Sequence, residues 1–190
     1  MIYLSKYKIN YKGNIIYILD DHIIYSKYIG KNDYGHDEYS TERTKLGENI
    51  YRLKYKDDIK TTNYILEEIE KNIHINNINN INCIVSAPFT EERKIQPVVH
   101  ISKKLSEKLN LEYKNVLIKN SNIKAKDVKD SKNFIKGIEC IADNLSGNIL
   151  LIDDLYGTGN TIKECIDQLK NKNKNIKMIY TICLTKTKKK

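Results

Sequence analysis

From residue 61 onward, short apolar runs alternate with segments whose apolar residues recur at helical spacing. Strands are predicted at residues 81–87, 116–118, 149–152 and 176–184. A first helix is predicted after a cap at Thr61 or Thr62, with Ile65, Leu66, Ile69 and Ile73 on its apolar face. A second begins at Pro97, with Val98, Ile101, Leu105 and Leu109 on its apolar face. Two more are predicted, one from the spacing of Phe134, Ile135, Ile138 and Ile141 and one at residues 161–170. Because strands that alternate with helices form right-handed βαβ units, this part of the chain predicts a parallel sheet.

The chain before residue 60 has a different pattern and is rich in tyrosine and β-branched residues. The apolar runs 15–19 and 23–25 flank Asp20-Asp21-His22, which predicts a hairpin with a short polar turn. Residues 30–48 hold Gly, Asn, Asp, His and Thr without clear periodicity, which predicts a functional or connecting loop.

Residues 50–55 alternate only weakly between apolar and polar, and they are compatible with either a strand or a helix. A length of 190 residues suits one domain with an appended subdomain. We therefore divide the chain into an N-terminal β-rich subdomain, residues 1–60, and an α/β core, residues 61–190.

Composition favours an ordinary folded core, with 40% apolar and 30% charged residues. The formal net charge of +9 raises the question of a nucleic-acid partner. However, the cationic residues are 30 Lys and only three Arg, and Lys, Asn and Ile are abundant throughout the chain. Because base readout and bidentate phosphate contacts favour Arg, a compositional bias explains the charge more simply. A phosphorylated small ligand would also favour a positive surface.

The four cysteines are widely spaced and form no CxxC pair, which argues against a zinc site and a dense disulfide framework. Charge interrupts the N-terminal residues before an apolar signal-peptide region develops. No stretch approaches the roughly 18 apolar residues that span a bilayer. We therefore expect a cytoplasmic, reduced protein without a membrane partner.

The segment 149–161 carries the most informative chemistry. The apolar run Ile149-Leu150-Leu151-Ile152, typical of a strand buried on both faces, ends in two carboxylates and then a Gly/Thr loop that opens a helix. The backbone N–H groups of such a loop, together with the helix N-terminus, bind a phosphate. Adjacent carboxylates instead suit ribose hydroxyls, or Mg²⁺ with its water shell.

Hydroxyls and a phosphate held by adjacent elements together describe a sugar 5-phosphate. The segment 149–161 is not a Walker A loop, since no Gly-Lys-Ser/Thr follows, nor a GxGxxG dinucleotide fingerprint. The simpler alternative is an ordinary strand–turn–helix corner with an aspartate cap. The carboxylate pair and the Gly/Thr loop occur together at the carboxyl end of a buried strand, and this combination favours the ligand site.

Residues 149–161 resemble the phosphoribosyl pyrophosphate (PRPP) motif of type I phosphoribosyltransferases. The wider stretch 50–187 resembles the competence-protein-F-like branch of that family. Its landmarks are Tyr51-Arg52-Leu53-Lys54-Tyr55, the strand end at 85–88, Arg93 and Gln96 before Pro97, and Leu184-Thr185-Lys186-Thr187. The resemblance implies an α/β fold with a central, mostly parallel sheet flanked by helices and an N-terminal β-rich hood. It also implies Mg²⁺-dependent transfer of phosphoribosyl from PRPP to a nitrogenous base, with release of pyrophosphate.

The resemblance assigns roles to particular positions. Asp153 and Asp154 would be catalytic, at the ribose hydroxyls and at Mg²⁺, directly or through water. The 5-phosphate would be surrounded by Gly157, Thr158, Gly159, Asn160 and Thr161. Pyrophosphate would enter the loop 86–90, with contributions from Ser86, Ala87, Arg93 and Lys94. Residues 119–132 would form the mobile catalytic loop, in which Lys126 neutralises pyrophosphate charge in the transition state.

Two departures from the family pattern narrow the function. The chain lacks the Cys-rich zinc module that many members of the competence-type branch carry at the N-terminus. Gly157 stands where purine-salvage enzymes commonly have an acid, which puts 6-oxopurine salvage in doubt. Acceptor-binding candidates are Tyr156, His36 and Arg43, although an exposed loop histidine is the simpler interpretation of His36.

Two alternatives to the enzyme stay open. One is a non-catalytic module of the same fold that senses PRPP or a nucleotide in regulation or DNA uptake. The other, weaker alternative is nucleic-acid binding through the Lys-rich surface. Members of this fold commonly form dimers, so a homodimer is allowed, and the sequence leaves the oligomeric state and the acceptor base open.

Overall fold

The computed structural model describes residues 5–89, 91–119 and 137–187. Its strands are β1 (Tyr7–Tyr11), β2 (Asn14–Asp21), β3 (Ile23–Lys31), β4 (Asp37–Arg43), β5 (Ile81–Ser86), β6 (Glu112–Lys114), β7 (Leu117–Lys119), β8 (Ile138–Cys140), β9 (Gly147–Tyr156) and β10 (Ile176–Lys186). Its α-helices are α1 (Lys45–Tyr55), α2 (Thr62–Ile75), α3 (Pro97–Leu109) and α4 (Asn160–Lys172), and a 3₁₀ turn (Ile59–Thr61) precedes α2. Within these ranges no helix is long and apolar enough to cross a bilayer.

A six-stranded sheet with the order β1-β2-β10-β9-β5-β6 forms the centre of the fold. Neighbouring strands from β2 to β6 in this order run parallel, and only the edge strand β1 is antiparallel, to β2. The carboxyl ends of five strands therefore meet at one edge of the sheet. The expected central, mostly parallel sheet flanked by helices is confirmed, and β hairpins are present at the N-terminal end.

Two apolar cores cover the two faces of this sheet. Ile149 and Leu151 of β9 pack with Ile162 and Cys165 of α4, whereas Leu150 of β9 packs in the core that α1, α2 and α3 share. Successive side chains of a strand point to opposite faces. The prediction that this run is buried on both faces is confirmed, because all four residues from 149 to 152 are 0% exposed.

Local signals in the sequence account for the helix starts. Thr44 caps α1 by accepting a hydrogen bond from the Gly47 backbone N–H at 3.0 Å, and Pro97 occupies the first turn of α3. The predicted helical faces are confirmed, since Ile65, Leu66 and Ile69 are buried in α2 and Val98, Ile101 and Leu105 in α3. The segment 50–55, left open between strand and helix, is part of α1.

The prediction that the runs 15–19 and 23–25 form a hairpin is wrong, because the two runs pair with other strands. β2 pairs with β1 across a turn at Lys12 and Gly13, and its other neighbour is β10. β3 instead pairs with β4 in a separate two-stranded sheet. Most of the segment 30–48, predicted as a loop, belongs to β3, β4 and α1, which leaves a short turn at 32–36. Both β1 and β2 lie before residue 60 and yet belong to the central sheet.

Two further predictions, the helix at 134–141 and the strand at 116–118, are corrected. The segment around Ile138 is not helical, since Ile138–Cys140 forms β8, paired antiparallel with β7 outside the central sheet. The predicted strand at 116–118 corresponds to β7, and the short β6 takes the edge position beside β5. Phe134 and Ile135 lie outside the described residues. The strand β9 also continues beyond 149–152 to Tyr156, so both aspartates belong to it.

Candidate active site

A cleft of about 310 Å³ lies at the carboxyl edge of the sheet, beyond β5 and β9. Its walls come from the end of α1, from residues within 88–89 and 91–99 between β5 and α3, from Lys119 of β7, from the end of β9 and from the start of α4. Asp153, Asp154 and Thr161 all line it. The structure thus brings the two carboxylates and the helix N-terminus of the predicted motif to one cavity, at the edge where ligands bind in open parallel sheets.

Asp153 is almost completely buried, with 8% of its surface exposed. Its Oδ1 accepts a hydrogen bond from the Asp154 backbone N–H at 2.9 Å. Burial, and then the neighbouring charge of Asp154, raise the pKa of Asp153 to about 8. At neutral pH this carboxyl group is therefore mostly protonated, and it can donate as well as accept a hydrogen bond.

Asp154 is paired with a residue that lies one hundred positions earlier in the chain. Lys54, at the end of α1, donates to Asp154 Oδ2 at 2.7 Å, and the two side chains are 24% and 13% exposed. The backbone carbonyl of Asp154 accepts a hydrogen bond from Thr185 Oγ1 at 3.1 Å. The two adjacent aspartates therefore differ in their surroundings, one protonated through burial and the other paired with a cation.

Thr185 connects Asp154 to a histidine at the end of β2. His22 Nδ1 lies 3.1 Å from Thr185 Oγ1, and the backbone N–H of His22 donates to the Lys186 carbonyl at 2.9 Å. Burial and the charge of Arg43 lower the pKa of His22, so its imidazole is neutral at pH 7. Sequence reasoning missed both Lys54 and His22 as site residues, because their contacts depend on how distant strands and helices align.

The turn from β9 into α4 holds the predicted phosphate loop. Gly159 caps α4 with φ of +83°, and Lys163 N–H donates to the Gly159 carbonyl at 3.0 Å. Thr161 follows in the first helical turn and reaches the cleft. The Asn160 backbone N–H lies 3.4 Å from Thr158 Oγ1. The first N–H groups of a helix have no partner within the helix, and a helix N-terminus of this kind favours an anion.

Replacing Gly159 by alanine is expected to lower the free energy of unfolding by about 1–3 kcal/mol, because the left-handed backbone disfavours a side chain. The added Cβ would also overlap the Tyr156 hydroxyl group. Urea unfolding measures the change. Gly157→Ala is the matched control, since nothing lies within 4 Å of its added Cβ, and it should change stability by less than about 0.5 kcal/mol. Equal effects of the two variants would contradict the assignment of strain to Gly159.

The predicted pyrophosphate residues divide into two groups. Ser86 and Ala87 are buried, at 0% and 2% exposure, and Ser86 Oγ is hydrogen-bonded to Tyr113 Oη at 2.8 Å. Their side chains do not line the cleft, whereas Arg93 does, with its guanidinium 5.0 Å from the Tyr55 ring centre. Lys94 is exposed and also lies outside the cleft wall.

The acceptor candidates lie away from the cleft wall. Tyr156 is 7% exposed and packs beneath Gly159, and His36 is exposed in the turn between β3 and β4. Arg43 is engaged at the base of β4, with its guanidinium 3.8 Å from the Tyr51 ring centre. Lys126, Thr90 and most of the predicted catalytic loop lie outside the described residues, but Lys119, at the start of that loop, lines the cleft.

The positions of Asp153 and Asp154 suit a magnesium ion that is shared with a substrate better than one that protein side chains alone would hold. Among the described residues no group of three or more His, Cys, Asp or Glu side chains is arranged to hold a metal. Mg²⁺ usually keeps several waters and binds through one or two carboxylates together with substrate oxygens. The two aspartates can supply that partial set, and a phosphorylated sugar would supply the rest.

No family model matches the sequence, and no curated protein matches it. Among solved structures, adenine phosphoribosyltransferase from Saccharomyces cerevisiae, complexed with an iminoaltritol bisphosphate and adenine, superposes with a TM-score of 0.50 at 7% identity, over 84% of this chain and 83% of that one. The enzyme of the same name from Thermoanaerobacter pseudethanolicus gives 0.46 at 17% identity, over 84% and 94%.

UMP synthase from Leishmania donovani gives a TM-score of 0.43 at 15% identity, and the match covers 82% of this chain. This chain spans only 28% of that longer protein. The superposition on the yeast structure shows the fold, which is that of the type I phosphoribosyltransferases.

Proposed function

We propose that the protein transfers a phosphoribosyl group from PRPP, with Mg²⁺, to a nitrogenous base and releases pyrophosphate. One observation supports this function most directly. The carboxylates of Asp153 and Asp154 and the N-terminal turn of α4 at Thr161 line one cleft, in a fold shared with phosphoribosyltransferases. Such a cleft can hold sugar hydroxyls on one side and a phosphate on the other.

The two aspartates would hold the ribose through complementary hydrogen bonds. A protonated Asp153 can donate to one sugar oxygen, and the Asp154 carboxylate can accept from a neighbouring hydroxyl. Gly157, Thr158, Gly159, Asn160 and Thr161 would surround the 5-phosphate. Mg²⁺, shared between the substrate and the Asp154 carboxylate, with Asp153 contributing once it has lost its proton, would lower the charge on the departing pyrophosphate.

Cationic side chains around the same cleft would assist the leaving group. Arg93 and Lys119 both line it, and their positive charges can stabilise the charge that develops on pyrophosphate. For Lys126 we propose the role that the family resemblance implies, which is to neutralise pyrophosphate charge in the transition state. Because bond cleavage leaves an electron-poor sugar, fixed charges and exclusion of water would account for most of the catalysis.

A second candidate function is a PRPP-sensing regulator of the same fold. The ion pair of Lys54 and Asp154 favours it, because one of the two acids is already engaged before any ligand binds. We also propose that the chain belongs to the competence-protein-F-like branch, on the basis of the landmarks at 51–55, 85–88 and 184–187. Binding of PRPP without pyrophosphate release for any of the common bases would favour the regulator.

Calorimetric titration with PRPP tests the shared core of both candidates. We expect binding in the presence of Mg²⁺, and at least about tenfold weaker binding when EDTA removes the ion, since a divalent cation screens the pyrophosphate charge. A pyrophosphate-release assay with adenine, guanine, hypoxanthine, uracil and orotate then separates the enzyme from the regulator. A folded protein that does not bind PRPP with Mg²⁺ would overturn the proposed function.

A further inference from the structure

Lys54 and Asp154 form an ion pair inside the candidate cleft, and both side chains line its wall. The Lys54 ammonium group lies 2.7 Å from Asp154 Oδ2. In each of the other ion pairs between described residues, at least one side chain is exposed by a quarter or more, whereas here both stay below that fraction. Because water and salt screen this pair less than a surface pair, the ammonium group holds the carboxylate more firmly than a surface contact would.

The core fixes the two elements that carry this pair. Lys54 lies in the last turn of α1, directly after Leu53, which is completely buried in the core that the helices share with the sheet. On the other side, the Asp154 carbonyl accepts a hydrogen bond from Thr185 of β10, the strand next to β9. The backbone on both sides is therefore held, and rotation about side-chain bonds is enough to separate the pair. Lysine, with its flexible four-carbon stem, suits such a change.

The ammonium group occupies a position on Asp154 that a metal ion would need. Among the described residues, the other carboxylates that line the cleft are those of Asp153 and Glu91, and Glu91 is paired with Arg93. Two positive charges within a few ångströms repel each other in a partly buried cleft. A divalent cation that arrives alone must therefore displace Lys54 and also give up part of its water shell, which Mg²⁺ does reluctantly.

We propose that Lys54 is a positioning residue that occupies the cation position on Asp154 in the ligand-free protein and so excludes a free divalent cation from the cleft. The inference rests on the proposed function and describes the regulation of the same site. A metal ion that arrives together with PRPP brings anionic phosphate oxygens, with which the displaced ammonium group can pair. Asp154 and Lys54 then exchange partners, and no charge is left unpaired in the cleft.

The surroundings of Lys54 suit this exchange of partners. Arg93 and Lys119 line the same cleft, and the Arg93 guanidinium lies 5.0 Å from the ring centre of Tyr55, the residue that follows Lys54. An anion held by Arg93 is therefore in the same part of the cleft as the end of α1. Because the metal and PRPP together satisfy both members of the ion pair, each should favour the binding of the other.

Binding of Mn²⁺ alone, followed by electron paramagnetic resonance, tests the proposal without PRPP. Mn²⁺ takes the same oxygen ligands as Mg²⁺, and the signal of the free ion gives the bound fraction. Lys54→Met should bind Mn²⁺ at least about tenfold more tightly than the wild type, since the competing positive charge is gone. Lys54→Arg should stay within about threefold of the wild type, because it keeps a positive charge beside Asp154. A folded Lys54→Met that binds Mn²⁺ no more tightly, or Lys54→Arg with an equal gain, would overturn the proposal.

Two further variants locate the gain in Mn²⁺ binding. Lys54→Met combined with Asp154→Asn should lose the gain, because the carboxylate that would receive Mn²⁺ is then absent. Lys108→Met is the matched control and should bind Mn²⁺ as the wild type does, since Lys108 forms an ion pair with Glu70 and does not line the cleft. Circular dichroism checks the fold of each variant. A gain that persists in the double variant, or an equal gain in the control, would show that the metal binds elsewhere and that the proposal is wrong.

The result for Lys54 can be told apart from the result for the proposed function. The Mn²⁺ titration contains no PRPP, so a gain in Lys54→Met supports the role of Lys54 even where calorimetry shows that the wild type does not bind PRPP. Conversely, a wild type that binds PRPP with Mg²⁺, together with a Lys54→Met variant that shows no gain, would retain the proposed function and overturn this role of Lys54.

Discussion

Asp153→Asn combined with Asp154→Asn is expected to weaken PRPP binding by at least about 100-fold, since hydrogen bonds to charged groups contribute about 1.5–3 kcal/mol each. The double variant also removes the carboxylates that would share Mg²⁺. The fold should persist, because asparagine has nearly the same shape and no charge is left buried at Asp153. Calorimetry with PRPP and Mg²⁺ measures the loss, and circular dichroism with urea unfolding checks the fold.

The chain offers a matched control in a second pair of adjacent aspartates. Asp20 and Asp21 lie at the end of β2, at the same edge of the sheet, and they bind Lys6 rather than line the cleft. The double asparagine variant at these positions should bind PRPP as the wild type does. Undiminished PRPP binding by the folded Asp153/Asp154 variant would remove these residues from the site.

The sequence predicts the parallel core well because burial there leaves a direct signal. A strand covered on both faces must be apolar at every position, and 149–152 is the run that satisfies this condition. The helices that cover it must show one apolar stripe, which α2 and α3 do. The segment 149–161 then follows as a candidate site, because its acids end the strand and its glycines lie in the loop directly after it.

Pairing between distant segments leaves no comparable signal in the sequence. β2 aligns with β10 about 165 positions away, whereas its predicted partner was the adjacent apolar run. The hairpin of β3 and β4 was missed because no face of it is buried, and the apolar–polar alternation that reveals a strand requires one buried face. The ion pair of Lys54 with Asp154 likewise depends on where α1 packs against the sheet.

The position of Asp153 has opposite consequences for ligand binding and for folding. An acid at the end of a central strand can meet a sugar hydroxyl, but the same burial withholds water from its carboxylate. Before the ligand binds, the protein avoids this cost by keeping the proton, as the raised pKa of Asp153 indicates. The proposed role of Asp153 in binding therefore comes at the expense of stability.

Stability without PRPP and Mg²⁺ should therefore fall as pH rises, and Asp153→Asn should remove this dependence. In the unfolded chain this carboxyl group loses its proton near pH 3.8, but in the fold it keeps the proton up to about pH 8. The folded state thus binds more protons between these values, so the contribution to stability is complete below pH 3.8 and is lost as pH rises toward 8. The variant should match the wild type near pH 4 and exceed it by about 5 kcal/mol at pH 8.

Urea unfolding between about pH 5 and pH 8 measures this difference. For Asp154→Asn, in the same strand, we expect the opposite result, a loss of stability. Because Asp154 is the partner of Lys54, its replacement leaves a half-buried ammonium group without a counter-ion. That variant should be destabilised by about 1 kcal/mol. If Asp153→Asn lowers stability at pH 8 as Asp154→Asn does, then Asp153 is an ordinary ionised side chain, and the argument that its burial opposes folding fails.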